Sequence, residues 1–288
     1  MKALNREEKK HAKEVPWMGR FLARWPAWPV FYPLYEARQL DLVEDAYWSP
    51  RIPEAFDGFR IAYLADVHFG PLFTEDRVRD LAERVNALHA DVTVLGGDYG
   101  VNSHGAVRFF QLKPGFFGSL AVLGVLGNHD RMEPESNLEL LLQAMREDGV
   151  TPLVNDAFTV ERQGQKLTFV GVDDFYCGAP DLEKAAALSE NADFTIFLPH
   201  MPDILPEVYK LSGGPFYQLA LCGHTHGGQV AIGHRAIISS SLYGSRYLTG
   251  WYHERRTDIL VTNGVGTSSL PVRLGARPQM HLITLRKE

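Results

Sequence analysis

Three features of the 288-residue sequence predict an α/β fold with a second sheet packed on the first. Strand-length apolar runs alternate with segments of helical period, the pattern of a sheet covered by helices. The last third is rich in strands and turns, which supplies a further sheet. No Pro/Gly/Ser linker interrupts residues 55 to 288, so they read as one domain preceded by an arm over residues 1 to 54.

The elements follow in chain order. "FRIAYLADVHFG" reads as a strand running into a loop. "TEDRVRDLAERVNALHA" opens with a capping residue, Thr74, and keeps apolar residues at helical spacing. "DVTVLGGD" and "LAVLGVLGNHD" are buried strands, and "ESNLELLLQAMREDG" is a helix stopped by glycine. "FTVERQGQKLTFVGVDD" makes two strands joined by a turn at Gln163 and Gly164. "DLEKAAALSE" is a helix, and "DFTIFLPH" and "QLALCGH" are strands. "GGQVAIGHRAIISS", "DILVTNGVG" and "QMHLITLRK" complete the strand-rich end.

Composition narrows the function classes. The formal net charge of −6 argues against nucleic acid as a stable partner. The two cysteines, Cys177 and Cys222, lie far apart and form no CxxC pattern, which fits a reducing, cytoplasmic compartment. Residues 16 to 35 are apolar, but four prolines and two arginines interrupt them, against a spanning helix. Residues 1 to 24 hold seven Lys/Arg against three Asp/Glu. Trp17, Phe21, Leu22 and Trp25 could share one helix face at a lipid headgroup layer, placing the protein peripherally on the inner side of a membrane. Packing of the arm on its own domain is the alternative.

The polar residues sit where strands end. Asp66 and His68 follow the first core strand, Asp98 the second, Asn128 and His129 the third. His200 and His224 with His226 follow two later ones. Ligands of open α/β sheets bind beyond the carboxyl ends of the strands, so neighbouring strands would gather these groups in one crevice. Each piece alone has a plainer explanation, as a loop cap or a tight turn. "GHTH" is the most specific, because two imidazoles at i and i+2 beside glycine seldom serve packing alone.

In this order, D-x-H, GD, GNHD, a lone His and GHTH, from about Arg60 to His226, the sequence resembles the calcineurin-like metallophosphoesterases. "GVDDFYCGAPDLEKA", "HGGQV", "YLTGWY" and "NGVGTSSLPVRLGARPQMHLITL" are similar to its bacterial YkuE and YaeI branch, near which enzymes cleaving UDP-2,3-diacylglucosamine occur. The resemblance implies a four-layer sandwich, two packed mixed sheets flanked by helices. It implies that Asp66, His68 and His226 hold one metal, that Asn128, His200 and His224 hold a second, and that Asp98 bridges them. It makes His129 the catalytic histidine that faces the substrate, oriented by Asp130.

The chemistry agrees. Two divalent ions about 3.5–4 Å apart clamp the attacking and leaving oxygens of an in-line displacement and lower the pKa of a shared water, so a bridging hydroxide forms. Two carboxylates against two such ions leave about +2, which attracts a phosphate ester to an acidic protein. Mixed imidazole, amide and carboxylate donors suit Mn, Fe or Zn. The expected activity is a phosphodiesterase, on a membrane-surface lipid-linked substrate such as UDP-2,3-diacylglucosamine; alternatives are a soluble nucleotide or generic phosphodiesterase, or a silent metal-binding scaffold. Tyr99 is a further candidate for the substrate cleft, or a packed aromatic. Arg273 is a candidate for a substrate phosphate, or for a surface ion pair. Asp173 and Asp174 are candidates for a polar headgroup or for a helix cap, and Cys222 points into the core.

Overall fold

Along strand β2 (Arg60–Leu64) the side chains alternate between two cores: Ile61 and Tyr63 join one, Ala62 and Leu64 the other. This period of two, repeated in every central strand, lets each sheet bury both faces. The computed structural model describes residues 31–132, 136–232, 235–236 and 240–288. The basic aromatic stretch with Trp17, Phe21, Leu22 and Trp25 lies outside the described residues.

The first sheet contains β1 (Asp41–Ser49), β2, β3 (Val92–Leu95), β4 (Ala121–Gly124), β5 (Val150–Pro152) and β14 (Gln279–Lys287), ordered β1-β14-β2-β3-β4-β5. The second contains β6 (Asp156–Arg162), β7 (Gln165–Gly171), β8 (Phe194–Leu198), β9 (Leu219–Cys222), β12 (Gly250–Glu254) and β13 (Thr257–Val261), ordered β12-β13-β9-β8-β7-β6. Both are mixed: β14 runs antiparallel to β2, and β7 antiparallel to β6. Ile61, Val94 and Leu123 meet Phe169, Ile196 and Leu221 between the sheets. Helices α2 (Glu75–Asn86), α3 (Ser103–Gln111) and α5 (Ser136–Glu147) follow strands of the first sheet, whose outer face buries Val78, Leu81, Phe109 and Leu141. Helix α6 (Leu182–Ser189) and the short α7 (Leu205–Val208) cover the second. The four-layer sandwich is therefore the fold.

Local chemistry explains most boundaries. Thr74 caps α2 in extended conformation, although its hydroxyl makes no capping bond. Gln163 and Gly164 both take positive φ (52° and 75°), as a two-residue hairpin turn requires. Helix α3 escapes a periodicity reading because it is short and contains Gly105, yet Asn102 caps it by accepting from Gly105 N–H at 2.9 Å. Part of the expected arm is also sheet. Asp41–Ser49 pairs in parallel with Gln279–Lys287, so the chain enters the sandwich before residue 54. Edge position explains the miss: exposed residues alternate with half-buried ones, and only Tyr47 and Ser49 at its end are buried, so there is no buried apolar run. Helix α1 (Tyr32–Glu36) precedes it, and α4 (Asn128–Arg131) follows β4. No helix among the described residues is long and apolar enough to cross a membrane.

Candidate metal centre

Strands β2, β3 and β4 are parallel neighbours in one sheet, and β8 and β9 in the other. Their carboxyl ends meet at one edge of the sandwich. The backbone there is unusual. Asp66, His68, Asp98, His224 and His226 all have φ between 50° and 70°, a region that L-residues other than Asn and Asp seldom visit. Strain of this kind costs roughly 1–3 kcal/mol per residue and persists only where neighbours over-determine it. Here Asp66 N–H donates to Gly97 O (2.9 Å), His68 N–H to Asp98 O (3.0 Å) and Gly266 N–H to Asp66 O (2.7 Å). Gly264 lies so close that a Cβ there would come within 2.5 Å of the Asp66 Cβ.

Three groups of donors result, two of them without a shared residue; the third, His68, Asp98 and His129, overlaps both. Asp66, His68 and His226 place ligand atoms within 4.8 Å of one another, and so do Asp98, His200 and His224. All six are buried. His68 Nε2 and His226 Nε2 are 2.9 Å apart. Two imidazole nitrogens bound at right angles to one ion, each at ~2.0–2.1 Å, would stand about 3 Å apart. Asp98 reaches both groups: its Oδ2 is 3.7 Å from His68 Nε2 and 3.3 Å from His200 Nε2. Asn128 Oδ1 lies 3.0 Å from His224 Nδ1. His200 Nδ1–H donates to Gly96 O (2.7 Å), and its Nε2 faces Asp98 Oδ2 at 3.3 Å. The Nε2 of His224 is buried with no hydrogen-bond or ion-pair partner among the described residues, and a buried nitrogen left so, beside a carboxylate group, is what a cation seat leaves behind. The residues fit two divalent ions.

Burial sets the protonation. It drives His68 down to about 3, His224 to about 4 and His226 well below its ordinary value, so these imidazoles keep lone pairs at neutral pH. Burial also lifts Asp66 to about 7. His200 moves the other way: burial disfavours its cation, but the carboxylates of Asp98 and Asp66 outweigh burial. Burial pushes Asp98 upward, and the surrounding imidazoles, His200 first, hold it below the usual carboxylate range.

A family model for calcineurin-like phosphoesterases matches residues 59–228. The chain belongs to that family. It is a metal-dependent hydrolase of phosphoric esters. The uncharacterized metallophosphoesterase YkuE of Bacillus subtilis is 31% identical over 258 residues, 87% of this chain and 87% of the relative. Phosphodiesterase YaeI of Escherichia coli is 28% identical over 237 residues, 79% and 82% of the two chains. A transmembrane protein with metallophosphoesterase domain from Danio rerio is 27% identical over 253 residues; this chain covers 82% of itself and 55% of that protein. Among solved structures, a dimetal phosphatase from Danio rerio superposes with a TM-score of 0.49 at 13% identity, covering 79% of this chain and 99% of that one.

The remaining site residues of the enzyme divide. His129 is half-buried and edge-on to His68, with ring centroids 4.7 Å apart. Its Nδ1 lies 2.9 Å from Val101 O, and a carbonyl only accepts, so Nδ1 carries the proton of the neutral ring. Asp130 does not orient that ring. Its carboxylate accepts from Asp98 N–H (2.8 Å), Gly127 N–H (2.9 Å) and Tyr99 N–H (3.0 Å), and so ties the Asp98 loop to the start of α4. Burial, with the Asp98 charge second, raises it to about 8. Tyr99 is core and not cleft: its hydroxyl donates to Val125 O (2.6 Å) and its ring packs on Phe109 and Phe110. Aromatic character alone, next to a ligand, cannot tell these apart.

Arg273 neither meets a substrate nor forms a surface pair. Its side chain is completely buried among backbone carbonyls. Asp173 accepts from Arg131 (3.1 Å) and Asp174 from Tyr176 N–H and Cys177 N–H, while Asp181 caps α6. Cys222 lies in the core as expected. The sequence reading missed the wall of the cleft. A cavity of about 480 Å³ opens beside the donors, lined by His129, Gln229, Val230, Ser240, Ser268 and Leu270 among others. Gln229 fastens that wall, accepting from Ser268 N–H (2.9 Å) and donating to Leu270 O (3.0 Å). The only signal was the position of Gln229, directly after GHTHGG.

Proposed function

We propose that the enzyme is a binuclear phosphodiesterase in which Asp66, His68 and His226 hold one divalent ion, Asn128, His200 and His224 hold the other, and Asp98 touches both. The observation that carries this reading is convergence: seven side chains from five strand ends come together beside one cleft, around the unpartnered Nε2 of His224. The donor set suits Mn, Fe or Zn. Bound there, two such ions supply Lewis acidity and acidify water at neutral pH. The protein does the rest. Asp98 lies between the two groups and offsets their mutual repulsion. His129, on the cleft wall, keeps its Nδ1–H on Val101 O, so it is as the imidazolium that its Nε2–H donates to a phosphoryl or leaving oxygen. Leu270 and Val230 offer apolar surface to one ester group, and Ser240, Ser268 and Gln229 offer hydrogen bonds.

A diester fits better than a monoester, because the cleft continues past the donors and the YaeI relative is a phosphodiesterase by name. A lipid-linked substrate at a membrane surface is the sharper version. The basic aromatic sequence before residue 31 supports it, as do the exposed apolar side chains of Leu34, Tyr35 and Leu274 and that of Leu270 on the cleft wall. Hydrolysis of bis-p-nitrophenyl phosphate with added Mn²⁺ tests the core reading; a metal-loaded protein that turns over no diester would be a scaffold instead. Flotation with anionic liposomes tests the membrane version, comparing the full chain with one lacking residues 1–30. The cut stops there because α1 belongs to the folded domain. Equal recovery of both in the lipid-free fraction removes the membrane claim.

A further inference from the structure

We infer that Arg273 is the positioning residue of the Asp66–His68–His226 group, and that α1 holds Arg273 in place. The inference rests on the reading that this group takes a divalent ion.

Arg273 is fully buried, out of reach of any substrate, and makes no direct ion pair with a carboxylate among the described residues. A charge in such a place costs several kcal/mol to desolvate, and an apolar side chain would fill the space more cheaply. Its donors show what it does. Nε donates to Gly266 O (3.1 Å), Nη1 to His226 O (3.2 Å) and Ala276 O (3.0 Å), and Nη2 to Gly264 O (3.3 Å) and Gly266 O. Nη2 also lies 3.1 Å from His226 Nδ1. One planar fork thus joins the loop that carries His226 to the loop that flanks Asp66. The second loop is in direct contact with Asp66, through the Gly266 N–H bond and the close approach of Gly264. A lysine keeps the charge but has three donors on one atom and cannot span these carbonyls.

Helix α1 grips the same segment. Arg273 N–H donates to Pro33 O (2.9 Å), and Gly275 N–H donates to Glu36 Oε1 (3.2 Å). Glu36 is buried, and Arg277 stands 4.0 Å from it. The residues before the first strand therefore brace one metal ligand through Arg273. Among the described residues nothing comparable reaches His200, whose Nδ1 bond goes to Gly96 within the sheet ends.

The test compares full-length wild type with Arg273→Lys and Glu36→Ala, each stripped of metal and titrated with Mn²⁺ by calorimetry, with metal content measured after desalting. Wild type is expected to bind two ions. Arg273→Lys should weaken one of them about 10–100-fold, the range for a group that orients a ligand, and leave the other unchanged. The electron paramagnetic resonance spectrum should change from a coupled Mn pair to a single ion. Glu36→Ala should shift the same ion by less, and it carries the test if the lysine variant does not fold. Two ions bound at wild-type affinity in both variants would overturn the inference, and so would equal weakening of both ions, which marks general destabilisation. Wild type that binds no Mn²⁺ would instead remove the metal reading underneath it.

Discussion

The two donor groups face the same cleft but have opposite charge behind them. A buried guanidinium, Arg273, backs Asp66, His68 and His226. Carboxylates neighbour His200: Asp98 at 3.3 Å, with Asp66 and Asp174 also raising its affinity for a proton. Burial first, with Arg273 adding to it, drives His68 and His226 toward neutrality, whereas the carboxylates draw His200 toward its cation. The first group has a carboxylate ligand of its own, Asp66, with a fixed positive charge behind it; the second has only the shared Asp98, with Asp174 nearby. The two seats therefore differ in charge background without any difference in ligand number.

The largest effect is expected where the two groups share a residue. Asp98→Asn removes the charge between them, so it should lower both affinities and cost more than the ~10²-fold typical of an outer orienting group; metal content and bis-p-nitrophenyl phosphate turnover measure this. His129→Ala should cut kcat about 10²-fold or more while two ions stay bound, because its ring stands edge-on to His68 and holds neither ion in the proposed assignment. Wild-type turnover in that variant would show that His129 has no part in the chemistry. Stepwise dialysis against a chelator should remove the two ions at different chelator concentrations; simultaneous loss would mean that the charges behind the groups do not matter. Gly264→Ala sharpens the comparison from the backbone side. With φ at 70° and Asp66 at 2.5 Å from the new methyl, it should lower Tm and weaken the first ion only.

The smallest effect concerns Asp148, a half-buried carboxylate outside the donor groups. Burial raises Asp148 to about 6 from 3.8, and one of its oxygens has no partner. A raised folded value stabilises below the unfolded one, and that benefit disappears as pH rises through about 6. Above it the charge is a cost. Asp148→Asn should therefore raise Tm at pH 8 and change little at pH 4, as read by thermal melts at both. The contrast with Asp66, likewise raised by burial but surrounded by imidazoles, separates a functional buried acid from an incidental one.

The alternation of strands and helices, the hairpin at Gln163–Gly164 and the order of the coordinating residues could all be read along the chain. Each depends on near neighbours: period, turn chemistry, or a polar side chain at a strand end. Edge strand β1 and helix α3 could not, because neither carries a long buried run. The errors at the site have one origin. Tyr99, Asp130 and Arg273 sit beside chemistry in sequence or motif, and proximity suggested contact with substrate. The fold turns each inward, Tyr99 to the aromatic core, Asp130 to three N–H groups, Arg273 to the carbonyls of four residues. Which residues are able to coordinate is a property of side-chain type and spacing, so the linear order carries it. What stands behind each ligand depends on segments more than two hundred residues apart, such as Pro33 and Arg273, and only packing in three dimensions brings them together.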